Sequence, residues 1–118
     1  MFFLLIYNDN NQKINLDEFK NALNSISINT QIIKIIDGDS ILTVNYEENE
    51  NKGYLRVSGE LDSITIYGKN SVDLKVILAL SSVYPLLNNW YLTDIDYSFN
   101  FQLKEARSLT DLKKKTGL

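Results

Sequence analysis

"ILTVNYEENENKGYLRVSGELDSITIYG", residues 41–68, decides the fold class. Leu42, Val44 and Tyr46 alternate with Thr43 and Asn45, and Leu55 and Val57 alternate with Arg56 and Ser58. A period of two sends successive side chains to opposite faces, so each segment reads as a strand with one packed and one wet face. The breaks "NENKG" and "ELDS" are short and carry Gly, Asn or Asp, the residues that hairpin turns select. Segments 41–48, 54–59 and 64–68 therefore form an antiparallel meander. "IIKIID" (32–37) joins it through "DGDS".

Working outward, "FFLLIY" (2–7) is an unbroken apolar run, as expected of a central strand buried on both faces. "NLDEFKNALNSI" (15–26) sets Leu16, Phe19, Leu23 and Ile26 at helical spacing, with Asn15 as cap and Glu18 placed to reach back in a capping box. "SVDLKVILALSSVY" (71–84) is apolar around most of its circumference, which predicts the most buried helix. Ser71 is its candidate cap, Asp73, Lys75, Ser81 and Ser82 are its solvent-facing positions, and Pro85 stops it at Tyr84.

In "DIDYSFNFQL" (94–103), Ile95, Tyr97, Phe99, Phe101 and Leu103 alternate with Asp96, Ser98, Asn100 and Gln102, which predicts one strand. A short helix follows from about Ser108, with Asp111 three residues later, to Gly117. The order β-α-β-β-β-β-α-β-α predicts an α+β fold. Residues 1–118 make a single domain whose one mainly antiparallel sheet, of about six strands, has helices packed on one face.

Composition closes several routes to chemistry. The chain has no cysteine and no histidine, so disulfides, thiolate catalysis, zinc–thiolate sites and a histidine-based triad are all excluded. Its five glycines are scattered over turns, with no phosphate-cradling loop. The expected cofactor complement is none.

"NDNNQKINLDEF" (8–19) imitates a calcium loop, with Asp9 and Asn11 on ligand positions when Glu18 closes it. The first ligand position is then Tyr7, the obligatory turn glycine is Gln12, and only six residues precede the loop where an entering helix is needed. A strand, a polar turn and a helix start explain the same letters, and no metal site is expected.

"MFFLL" lacks the basic flank and cleavage site of a signal peptide, and no apolar run reaches the ~18 residues of a membrane span. A cytoplasmic protein with no membrane contact is expected. Residues 1–103 carry a net charge of −6 and residues 104–118 a net of +3. An acidic body repels phosphates, which disfavours nucleic acid, and attracts a basic protein partner. The lysines of the tail are the ordinary complement of a helix C-terminus.

Within the body, Asp37, Asp39, Glu47, Glu48 and Glu50 gather in 37–50, a stretch with no Lys or Arg. They read either as solubilising turns or as one acidic end of the sheet facing a cationic partner. Asp37/Asp39 and Asp94/Asp96 are also the available carboxylate pairs for acid–base work, although turn and strand positions demand no burial of them. Trp90 and Tyr91 follow "NN" in a loop and are either partner contacts or core anchors. Two or three of the seven tyrosines, left exposed among acidic groups, would make a recognition surface.

The stretch "SSVYPLLNNWYLTDIDYSFNFQL" (81–103), in a small acidic chain without His or Cys, resembles the immunity proteins of bacterial toxin–immunity systems, including contact-dependent inhibition. The resemblance implies a non-enzymatic inhibitor that binds the toxin domain of a cognate effector, often a nuclease with a basic substrate groove. Two other classes stay open. One is a phage-encoded acidic inhibitor of a host nucleic-acid enzyme, and the other a small enzyme using Asp and Tyr in a pocket.

Overall fold

The computed structural model describes residues 3–33, 40–68 and 70–118. Its elements are β1 (Phe3–Tyr7), α1 (Leu16–Ser25), β2 (Asn29–Ile33), β3 (Ser40–Glu48), β4 (Asn51–Ser58), β5 (Ser63–Tyr67), α2 (Asn70–Val83), β6 (Tyr91–Asp94), β7 (Asn100–Gln102) and α3 (Leu109–Thr116). Short 3-10 turns occupy Pro85–Asn89 and Leu103–Glu105. All strands join one seven-stranded antiparallel sheet in the order β2-β3-β4-β5-β1-β6-β7. The α+β class holds, with one strand more than expected.

Alternation in residues 41–68 does what it predicts. Val44, Leu55, Ile66 and Leu4 form one row across the sheet, and Leu42, Val57, Ile64, Ile6, Leu92 and Phe101 the next. All of them are buried. The helices cover this face, and α2 contributes Leu74, Ile77 and Leu80, none with any exposed surface. β1 is central, between β5 and β6, but only Leu4 and Ile6 are buried. Phe3, Leu5 and Tyr7 are half-buried on the other face, so β1 is not sealed on both sides.

Local chemistry sets the helix ends. The Asn15 side chain accepts from the Glu18 N–H at 3.1 Å, the first half of the expected capping box. The second half is supplied from elsewhere, because the Asn15 N–H donates to the Tyr84 hydroxyl at 3.1 Å and ties α1 to the end of α2. Ser108 caps α3 by accepting from the Asp111 N–H, and α3 ends at Gly117. The calcium-like stretch is a turn built by Asn8, whose Oδ1 accepts from the N–H groups of Asn10 and Gln12. Among the described residues no acidic cluster could hold a metal ion.

Three expectations are corrected. Residues 94–103 are not one strand: β6 ends at Asp94 and β7 starts at Asn100, because the Asp94 carboxylate accepts from the Ser98 N–H at 2.8 Å and from the Ser98 hydroxyl. A side chain that bonds its own backbone four residues on closes a turn, whatever the alternation around it. α2 starts at Asn70, so Ser71 lies inside the helix rather than capping it. Asp73 and Ser81 are buried, not solvent-facing.

The strand directions put one set of connections together. β3 ends at Glu48 where β4 begins at Asn51, Tyr67 ends β5 opposite Phe3, and Asp94 ends β6 opposite Leu4. The β3–β4 hairpin, the end of β5 and the β6–β7 turn thus share one end of the sheet, here called the hairpin end. A flat sheet with strands about 4.8 Å apart would separate the β4 and β6 positions by about 14 Å.

Candidate interaction surface

On the face away from the helices, the register aligns Gln31, Asn45, Tyr54, Tyr67 and Phe3 in a row next to the hairpin end. The Tyr54 and Tyr67 rings stack at 4.7 Å between centroids, and Phe3 lies 5.8 Å from Tyr67. The Arg56 guanidinium sits 5.4 Å from the Tyr54 centroid, within cation–π range. Further along this face Tyr7 stacks on Tyr91 at 5.6 Å. All these rings are half-buried.

A groove of about 580 Å³ opens beside this row, lined among others by Asn29, Glu47, Lys52, Tyr54 and Tyr67. Beneath it lies the Tyr46–Asp73 pair, whose Tyr46 hydroxyl stands 2.5 Å from Asp73 Oδ1. Both residues are sealed, at 2% and 0% exposure, and Asp73 Oδ2 has no partner among the described residues. Burial raises the Asp73 carboxyl above the usual carboxylate range, while the Tyr46 bond pulls it back down. Burial also raises the Tyr46 phenol well above its ordinary value, and the Asp73 bond and charge push it further the same way.

Two glycines make the seal possible by close approach. A Cβ at Gly53 would fall 2.6 Å from the Tyr46 ring, and one at Gly68 would fall 2.5 Å from Asp73 Oδ1. The pair keeps Asp73 out of reach of the groove, although Tyr46 is among the residues lining it. Its work is to fasten α2 to β3.

The sequence-derived candidates scatter around this frame. Trp90 is fully buried and its Nε1 donates to Gln12 Oε1 at 2.9 Å, which makes it a core anchor and removes it as a partner contact. Tyr91 is half-buried on the open face, against Tyr7. Asp37 and Asp39 lie outside the described residues; the flanking ends, Ile33 of β2 and Ser40 of β3, are at the opposite end of the sheet from Glu48.

Glu48 is held by Lys75 at 2.5 Å, and Glu47 stands opposite Lys52 in the β3–β4 register. Asp94 is occupied by Ser98, whose donors lower its carboxyl below the ordinary range. Glu50 and Asp96 are exposed and make no ion pair among the described residues.

Sequence reasoning missed Tyr97 and Ile95, placed on the apolar face of a strand. They are the two most exposed large apolar side chains described, at 70% and 52%. Tyr97 also has left-handed backbone, φ 52°, and its N–H donates to the Asp94 carbonyl. Glu50 shares that conformation, with φ 69° beside Asn49 at φ 51°, in a two-residue hairpin turn whose second position favours glycine.

Leu61, at φ 63°, is the instructive contrast, since it packs against the core. Tyr97 and Glu50 have no such contact to explain their strain. The signal that could have exposed the turn is Asp94 followed four residues later by Ser98.

No protein-family model, curated protein or solved structure matches this chain.

Proposed function

We propose that this chain is a non-catalytic immunity-type protein that captures a basic toxin domain on the hairpin end of its sheet. The observation that carries the reading is Tyr97. Its ring is 70% exposed, on strained backbone, in a turn held rigid by the Asp94–Ser98 bonds. Strain in an exposed aromatic residue is retained where the side chain is used outside the fold. Tyrosine is a preferred interface anchor because a large amphipathic surface is fixed by few rotatable bonds.

Around Tyr97 stand Ile95, Asp96 and, across the end, Glu50 and the Tyr54–Tyr67 stack. Exposed carboxylates steer a cationic partner and raise its association rate, while rings that become buried slow its departure. The fold-internal pairing of Glu48 and Asp94 leaves Glu47, Glu50 and Asp96 as the steering charges at this end. The sealed Tyr46–Asp73 pair supports binding over catalysis, because its raised carboxyl has no route to a substrate.

The test is calorimetric titration of the chain with the C-terminal domain encoded by the adjacent upstream gene, alongside survival of cells expressing that domain. Nanomolar binding with protection is expected. Absence of both overturns the immunity reading.

A further inference from the structure

Register puts Asn29 and Gln31 of β2, Asn45 of β3 and Tyr54 of β4 on the face away from the helices, and all four line the groove of about 580 Å³. Tyr67 stacks on one side of the Tyr54 ring, so the other side is turned toward Asn45 and Gln31, the next positions in the row. Asn29, Gln31 and Asn45 are exposed, and their side chains make no hydrogen bond among the described residues. The groove therefore sets an aromatic ring beside three primary amides whose donors and acceptors are unspent.

We propose that this groove binds a neutral saccharide, with one pyranose ring lying on Tyr54 and its hydroxyls bonded to Asn29, Gln31 and Asn45. A pyranose has an apolar face of C–H groups, which packs on an aromatic ring. Its rim of hydroxyls both donates and accepts, as primary amides do. The volume falls within the range of about 300–1,000 Å³ that small-ligand sites occupy. Tyr54 is held by the Tyr67 stack and the Arg56 guanidinium, so little freedom is lost when a sugar ring settles on it.

The spread of the amides favours a sugar over a nucleobase. Asn29 and Gln31 stand two residues apart on one strand, about 6.6 Å, and Asn45 is on the next. A flat base carries its polar groups in a single plane, so a base lying on Tyr54 meets these amides along one edge only. Hydroxyls radiating around a pyranose reach amides spread over that distance.

Proton–nitrogen correlation NMR of the full chain tests this with maltotriose, cellotriose and triacetylchitotriose. Each is added to about 10 mM, enough to detect a dissociation constant of about 1 mM. At least one should shift, saturably, the side-chain amide signals of Asn29, Gln31 and Asn45 and the backbone signal of Tyr54. Gln31→Ala and Asn45→Ala remove exposed amides that make no side-chain bond among the described residues, so the fold's spectrum should be kept. Each should weaken binding about three- to tenfold. No shift at these residues with any of the trisaccharides overturns the proposal. So does binding that both variants keep at wild-type strength, and so does adenosine shifting the same signals where the sugars do not. The titration contains no toxin domain, so its failure and a failure of toxin capture are separate results.

Discussion

Replacing Tyr97 by Asn separates the turn's stability from its use. A non-glycine residue in left-handed backbone costs about 1–2 kcal/mol, and Asn, whose short side chain tolerates that region, recovers about 1 kcal/mol of it. Against this stands lost burial. Tyr97 is 70% exposed, so the ring forfeits only the covered remainder of its surface, about 0.5 kcal/mol where full burial would contribute 1.5–3 kcal/mol.

The net effect is a gain of about 0.5 kcal/mol. For 118 residues the unfolding entropy is about 0.25 kcal/mol per kelvin, so the melting temperature should rise by about 2 °C. Paired thermal and urea denaturation measure it, with Tyr97→Phe as the control that leaves stability unchanged. A loss of more than about 1 kcal/mol in Tyr97→Asn would refute the reasoning, since only a ring packed into the fold could cost that much.

Three further outcomes follow from the same geometry. Glu50→Gly should stabilise the chain by about 0.5–1 kcal/mol in urea unfolding, because glycine suits the second position of this hairpin turn, and should lower the association rate with a basic partner most at low salt. Tyr46→Phe should cost about 1–3 kcal/mol by the same assay, because it leaves the buried Asp73 carboxyl without its hydroxyl donor; a neutral result would mean water reaches that carboxyl.

The third outcome concerns pH. Asp73 titrates higher in the folded chain than its unfolded reference of about 3.9, so the folded state binds the proton more tightly. Its contribution is complete below the unfolded value and is lost as pH rises through the folded one. The stability difference between wild type and Asp73→Asn should therefore fall with rising pH across that window and then level off. A difference that grows with pH contradicts the raised carboxyl.

Much of the frame was legible because its causes are local. Alternation in residues 41–68 sets which side chains face the core, and Asn15 and Ser108 mark helix starts through bonds three residues long. What failed had causes that period and propensity do not carry. Ile95 to Phe99 alternates as a strand would, and only the Asp94 carboxylate, turned onto Ser98, makes it a turn.

Asp73 looks solvent-facing on its helix, but its partner Tyr46 lies 27 residues earlier, on β3. Trp90 looks like loop until Gln12, 78 residues away, accepts its indole N–H. The surface was half legible for the same reason. The acidic residues could be counted, but which of them are already spent on Lys75 and Ser98 is a matter of tertiary placement.

The central claim is that the hairpin end is the surface that meets the partner. Amide hydrogen exchange of the chain, alone and saturated with the toxin domain from the adjacent gene, tests it most directly. The account predicts that new protection concentrates at residues 95–98, 48–51 and the Tyr54–Tyr67 row, leaving α1 and α3 unchanged. Protection centred on α1 or α3, with residues 95–98 exchanging as freely as in the isolated chain, would contradict it.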